Sequence, residues 1–270
     1  MKVVIAVLSL VLTTSAFAAE RPRFGDTFWF GLGGMSQYGS ADFSSGSDDR
    51  IDLDELGLDD DVATVWATAR WRFTPRWEAG FSYSSYNSEG LVGATYDWSF
   101  GDIDVTADAT VDSDFDLDLY IVDISWDFVL SENAHAGVGL GLHVMDLGLA
   151  IDAQVEVDIN GQPLPNPIDL GRESATVTAP LPDIQVNAGY TFGEKVYIGA
   201  KLGYFSLEYD KYDGSLTSIR LDAEWRAWKN VGLGLGYQYV KVDLKVDETD
   251  FQDRYDFTFS GPILYISAAF

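Results

Sequence analysis

Arg220, Asp222, Glu224 and Arg226 stand at every second position, two positive and two negative. The same spacing sets Arg70 and Arg72 within a turn's reach of Glu78, and Asp123 beside Asp127, while Lys201 lies in a stretch of equal alternation. A period of two puts side chains on one face of an extended strand. Opposite charges gathered on such a face neutralise one another, so the chemistry implied is an ion-pair network. Acid–base or nucleophilic catalysis needs a His within reach of Asp or Ser, and the chain has two histidines. His135 sits beside a turn and His143 lies mid-strand on a polar face. No carboxylate pair stands out for hydrolysis among 43 acidic residues, and the absence of Cys removes thiolate nucleophiles, thiolate metal sites and disulfides. A third group is the acidic run that includes Asp48 and Asp49 and continues through Asp52, Asp54, Glu55, Asp59, Asp60 and Asp61. Its oxygen ligands suit the hard cations Ca²⁺ or Mg²⁺. The spacing is not an EF-hand, because Asp52-x-Asp54 lacks the following Asx-Gly and the distant Glu, and solvation is the competing reading of these six later positions.

Strands must position these groups. Tyr120, Val122, Ile124, Trp126, Phe128 and Leu130 alternate with polar or small residues, Ser131–Ala134 turns the chain, and Ala136, Val138, Leu140, Leu142 and Val144 alternate with His135, Gly137, Gly139, Gly141 and His143. This hairpin has one apolar face and one wet face. The unit recurs around Thr74–Arg76, Gly193–Lys195 and Lys229–Asn230. Lipid outside and a polar lumen inside explain the repetition, so the sequence predicts an all-β, antiparallel up-and-down transmembrane β-barrel. Four short turns with a strand at each chain end give ten strands, with eight or twelve as alternatives. Residues 44–61 read as an exposed acidic loop and residues 160–182 as a proline-bearing loop. Trp71, Trp77, Trp126, Tyr190, Trp225 and Trp228 suit interfacial aromatic girdles. The apolar face changes parity near 119–121, 144–147, 240 and 261. A β-bulge at each site is the expected cause, with the strands continuing outside the membrane as ribbons.

The start of the chain, Met1-Lys2 followed by an apolar run to Ala16-Phe17-Ala18, has the form of a secretory signal peptide, residues 1–18, leaving 19–270 as the barrel domain. No stretch approaches the length of an apolar helix that spans a membrane. The formal net charge is −26, and removing Lys2 with the signal makes it −27, which argues against nucleic acid. The chain ends Leu264-Tyr-Ile-Ser-Ala-Ala-Phe270. This alternating strand with an aromatic carboxyl terminus resembles the C-terminal signal of Gram-negative outer-membrane β-barrel proteins, with Ala268 where such signals carry a second aromatic. The resemblance implies residence in the outer membrane amid lipid and lipopolysaccharide, delivery through the periplasm, recognition of Phe270 by barrel-assembly machinery, and a monomer.

Within that frame the inward set Arg70, Arg72, Glu78, Asp123, Asp127, Lys201, Arg220, Asp222, Glu224 and Arg226 is expected to plug the lumen. The function expected is structural or surface-binding, through acidic extracellular loops, with no catalysis and no cofactor beyond divalent cations at those loops. The alternative is a narrow cation-preferring channel, for which the inward Gly137, Gly139, Gly141, Gly232, Gly234 and Gly236 leave room.

Overall fold

The computed structural model describes residues 25–44, 51–52, 56–59, 61–94, 98–100, 103–105, 109–155, 158–159, 162–163, 168–209, 212–247 and 252–270. Residues 1–18, expected to be a signal peptide, and Asp48, Asp49, Asp54, Glu55 and Asp60 lie outside them. Ten long strands form the wall: β1 (Phe28–Ser44), β2 (Asp61–Arg72), β3 (Trp77–Gly93), β4 (Thr110–Leu130), β5 (Ala134–Val155), β6 (Ile168–Phe192), β7 (Val196–Tyr209), β8 (Tyr212–Trp225), β9 (Val231–Asp247) and β10 (Gln252–Ala269). Each pairs antiparallel with its sequence neighbours, and β10 pairs back onto β1 from Trp29↔Ala269 to Ser44↔Arg254. The barrel is therefore closed and carries no free edge. An added short strand, Ile51–Asp52, pairs with the end of β1, and two further small ribbons lie in the connections after β3 and β5.

Alternation decides the two faces. Leu32, Leu140, Ile184, Leu235 and Leu264 point outward and are each more than 60 % exposed, while their strand neighbours point inward. Such a surface is stable only against hydrocarbon, where closed barrels satisfy every backbone group by pairing. An aromatic belt marks the end that carries the four short turns: Phe28, Trp71, Phe73 and Trp77 follow one another at centroid separations of 6.3, 5.3 and 6.5 Å. Trp126, Tyr190, Trp225 and Trp228 are exposed at the same end. On the opposite boundary Tyr83 and Tyr120 pair at 5.1 Å, and Tyr83 Oη donates to Asp118 at 2.8 Å. From Tyr120 to Phe128, nine residues, β4 sets Val122, Ile124, Trp126 and Phe128 toward lipid, in keeping with the ~9–11 tilted residues a bilayer requires.

The strands continue past the outer belt, but not as bulged ribbons. Along β4 the inward positions keep the same parity throughout: Val111, Phe115, Leu117 and Leu119, then Asp123, Ser125 and Asp127 are all buried. The outward positions run Asp112, Asp114, Asp116 and Asp118, then Val122, Ile124, Trp126 and Phe128. Pairing with β5 is unbroken from Thr110↔Gln154 to Asp127↔Gly137 and slips only beside the turn, between Asp127 and Val129. β9 and β10 likewise pair without a slip from Val231↔Ala268 to Asp247↔Gln252. The apolar residues change parity because the surroundings change. In the bilayer the outside is lipid and the inside is polar, whereas beyond it the outside is water and the inside is an apolar core.

The segment after β1 also departs from the loop reading. Leu56 and Leu58 are buried within that upper core, Gly57 between them takes φ 70°, and Asp59 N–H donates to Ser88 Oγ at 2.8 Å. A Cβ at Gly90 would stand against the backbone of Leu56 and Gly57, so a glycine there lets the segment cross β3 at backbone distance.

Candidate functional site: the barrel interior

Near the short turns, the interior is an ion-paired layer. Arg72 donates through Nη2 to Glu78 at 2.9 Å and through Nη1 to Asp127 at 2.7 Å, with its side chain 7 % exposed. The β2–β3 turn builds this triad, since Arg72 and Glu78 are cross-strand partners. Arg226 reaches Asp26 at 2.7 Å at the rim. Glu224 accepts from Trp29 Nε1 at 2.8 Å, and the Arg70 guanidinium lies 4.3 Å over the Trp29 ring. Arg220 makes a two-pronged contact with Asp222 at 3.0 and 2.8 Å and covers the Trp66 ring at 4.2 Å. His135 is no mere turn residue: it faces inward, stacked on Tyr197, with Nε2 2.9 Å from the phenol oxygen and Nδ1 3.5 Å from Asp127.

At mid-height Lys201 Nζ pairs with Asp123 at 2.7 Å. Beside it Asp183 accepts from Gln185 Nε2 at 3.1 and 3.2 Å and from Ser218 Oγ at 3.3 Å, with His143 Nδ1 3.7 Å away. Asp183 is the member the sequence reading passed over. It shares the parity of Gln185 and Asn187, the one signal the sequence offers, but it directly follows Pro182 at the end of the proline-bearing segment. Of the candidate cation ligands, Asp52, Asp59 and Asp61 are among the described residues. Asp59 and Asp61 are exposed, Asp52 lies in the short strand against β1, and no group of three or more His, Asp or Glu that could hold a metal occurs among the described residues.

The inward glycines face side chains of neighbouring strands. A Cβ at Gly80 would meet the Asp123 carboxylate, one at Gly141 or Gly203 would overlap Asp183, one at Gly232 would meet Glu224, and one at Gly234 would overlap the Tyr265 ring. Each glycine is the seat of a large side chain from a neighbouring strand, and close packing of this sort is intolerant of an added methyl. A cavity of about 100 Å³ remains among these groups.

Above His143 the interior becomes apolar. Phe115, Leu117, Leu119, Met145, Ile151, Leu216, Val240 and Phe259 are almost fully buried together with Leu56 and Leu58. Tyr86 stands among them, 5.9 Å from the Phe115 ring and 5.7 Å from the Phe259 ring, and its hydroxyl donates to the Asp59 carbonyl. Chemically, the polar layer holds charges in place. Of its two His–Asp pairs, His135 with Asp127 lies near the short turns, and the one nearest this core, His143 with Asp183 at 3.7 Å, is longer than a hydrogen bond, while Ser218 Oγ donates to Asp183 rather than to His143.

Among solved structures the chain is similar to the outer membrane protease OmpT from Escherichia coli, with a TM-score of 0.59 and 9 % identity over 90 % of this chain and 96 % of that chain. Weaker likenesses are to outer membrane protein AlkL, at TM-score 0.39 and 11 % identity over 96 % of this chain and 95 % of that chain, and to Neisserial surface protein A, at 0.30 and 11 % over 90 % and 97 %. No family model and no curated protein sequence matches the chain. At such identity the OmpT likeness speaks to the fold alone. A closed barrel with an apolar, aromatic-belted exterior and a polar transmembrane interior is an integral outer-membrane protein.

Proposed function

We propose that this chain is a non-conducting, non-enzymatic outer-membrane barrel that acts through its outer surface, in a structural or surface-binding role. The observation that supports this most is the succession of interiors along one lumen. An ion crossing the barrel has to break the Arg72–Glu78–Asp127 and Lys201–Asp123 pairs and then enter the apolar core around Phe115 and Phe259, where an unpaired charge is strongly disfavoured. The small diameter works in the same direction, because barrels of about eight strands are filled by their own side chains and open channels need ~16–18. A substrate from outside would meet the same core before reaching His143, which supports the absence of catalysis. The surface left for partners is the extended outer wall, where Asp112, Asp114, Asp116, Asp118, Asp146 and Asp152 face water on β4 and β5. Lipid and lipopolysaccharide surround the lower wall, the chain works as a monomer, and Phe270 serves the assembly machinery.

A second reading, the narrow cation-preferring channel, draws on the polar cavity and the surplus of carboxylates around it. Single-channel recording separates the two. Residues 19–270 refolded into a planar bilayer, shown to be folded by heat-modifiable migration, should give no reproducible steps. Steps that favour cations would overturn the non-conducting reading.

A further inference from the structure

Inside the transmembrane part of the barrel, Glu78, Asp123, Asp127, Asp183, Asp222 and Glu224 face Arg70, Arg72, Lys201 and Arg220, an excess of two carboxylates among the described residues. The rim pair Asp26–Arg226 balances itself. Asp127 shares Arg72 with Glu78 and has His135 Nδ1 at 3.5 Å, while Asp183 has His143 Nδ1 3.7 Å away, beyond hydrogen-bond distance. Uncompensated charge in a desolvated interior is costly, and such sites acquire a counter-charge.

The unpartnered atoms around the cavity lean toward one sign. Gln185 is 2 % exposed, and because its Nε2 donates to both oxygens of Asp183, the orientation of its amide is set and Oε1 is left pointing elsewhere, without a hydrogen-bond partner among the described residues. Gln238 Oε1 and Glu224 Oε1 line the same cavity and are unpartnered as well. Asn187 Oδ1 is a fourth unpartnered acceptor on this lining, against Arg70 Nε and the ring nitrogens His135 Nδ1 and His143 Nδ1, which donate or accept according to tautomer. Acceptors in excess over donors, beside excess negative charge, select a cation. The volume of about 100 Å³ fits an ion with about two waters, taking roughly 30 Å³ for each. The ligands are mostly amide carbonyls and single carboxylates, and the cluster of three or more His, Asp or Glu that a divalent or transition metal requires is not found among the described residues. We propose that the cavity beside Asp183, Gln185 and His143 binds one monovalent inorganic cation as a resident counterion of the lumen. The site requires no conduction, so it stands or falls apart from the non-conducting reading.

The test is thermal unfolding of the refolded 19–270 barrel in neutral detergent at about pH 8, where unperturbed imidazoles are neutral, with Na⁺ or K⁺ exchanged against choline at constant ionic strength. The midpoint should rise saturably by roughly 5 °C in the small cation, and Asp183→Asn, which removes one surplus charge while keeping its shape, should abolish the rise. Equal midpoints in Na⁺, K⁺ and choline would mean that water alone fills the cavity and would overturn the proposal, as would a full response in Asp183→Asn. Should that variant fail to fold, wild-type crystals grown with Tl⁺ decide the matter. An anomalous peak beside Asp183 supports the site, and peaks confined to the acidic outer wall overturn it.

Discussion

At the scale of single residues, the interior is governed by which groups have no alternative partner. Arg72 is the clearest case, since Glu78 and Asp127 both depend on it in a layer shielded from water. Arg72→Met should cost about 3–5 kcal/mol, because it strands two carboxylates. The triple change Arg72→Met, Glu78→Gln, Asp127→Asn should recover most of that loss in a urea-unfolding measurement; equal losses in the single and triple variants would show that the charges matter less than the packing. Glycine seats obey a steric version of the same logic. Gly234→Ala puts a methyl into the Tyr265 ring and should destabilise by about 1–3 kcal/mol. At Gly93 nothing lies within 4 Å of an added Cβ, so Gly93→Ala should leave the unfolding midpoint nearly unchanged. If both behave alike, the seats are not filled as described.

At the scale of strands, one backbone crosses two solvents. On β4, Ile124 faces lipid and Asp116 faces water with no change of parity between them. Ile124→Lys should therefore cost about 2–4 kcal/mol near the bilayer midplane, whereas Asp116→Lys should lie within roughly 0.5 kcal/mol of wild type, as surface changes usually do. Comparable losses in folding free energy at both positions would mean that the upper half of β4 is also in lipid. The water-exposed half carries its own electrostatics. On β9, Asp243 accepts from Lys241 at 3.3 Å and from Ser215 at 3.3 Å. Burial alone would push its carboxyl up, but hydrogen bonds with Asp256 and Lys241 outweigh it and hold the group below its ordinary value of 3.8. A depressed carboxylate stabilises the fold above its unfolded-state value, and that stability is lost as pH falls through the folded-state value. The unfolding midpoint of Asp243→Asn should thus trail wild type near neutral pH and converge with it in acid. The gap is expected to be small, because the pair meets solvent, and a gap independent of pH would remove this account.

For the molecule as a whole, closure is the decisive event. Phe28 and Phe270 exchange two backbone hydrogen bonds at 3.0 and 2.8 Å where the last strand meets the first. The Phe270 ring itself is 60 % exposed, so it adds little to packing. Phe270→Ala should therefore refold in detergent with a midpoint close to that of wild type, yet accumulate poorly in the outer membrane of cells. A large loss of stability in detergent would make the ring a structural element instead of an assembly signal. The two-storey interior has a consequence at this scale too. The upper storey is built as the inside of a water-soluble barrel, and the lower as the lumen of a membrane one, along the same strands.

Alternation and turn spacing alone point to a barrel of about ten strands, with eight or twelve left open, and to which residues share a face. The physical reason is that a period of two is a local property which the pleat converts directly into inside and outside. The same pattern could not say why the apolar parity switched, because a shifted strand and a changed solvent produce identical sequences, and only the unslipped pairing of Thr110–Asp127 with β5 tells them apart. Long-range placement was equally hidden. Leu56 and Leu58 sit in an acidic run and enter the core from outside the strands, and the glycines of β5 and β9 read as space in the sequence, whereas the neighbouring strands bring Asp183, Glu224 and Tyr265 over Gly141, Gly232 and Gly234. Partners contributed by other strands depend on register and tilt around a closed barrel, and those are set only when the last strand meets the first.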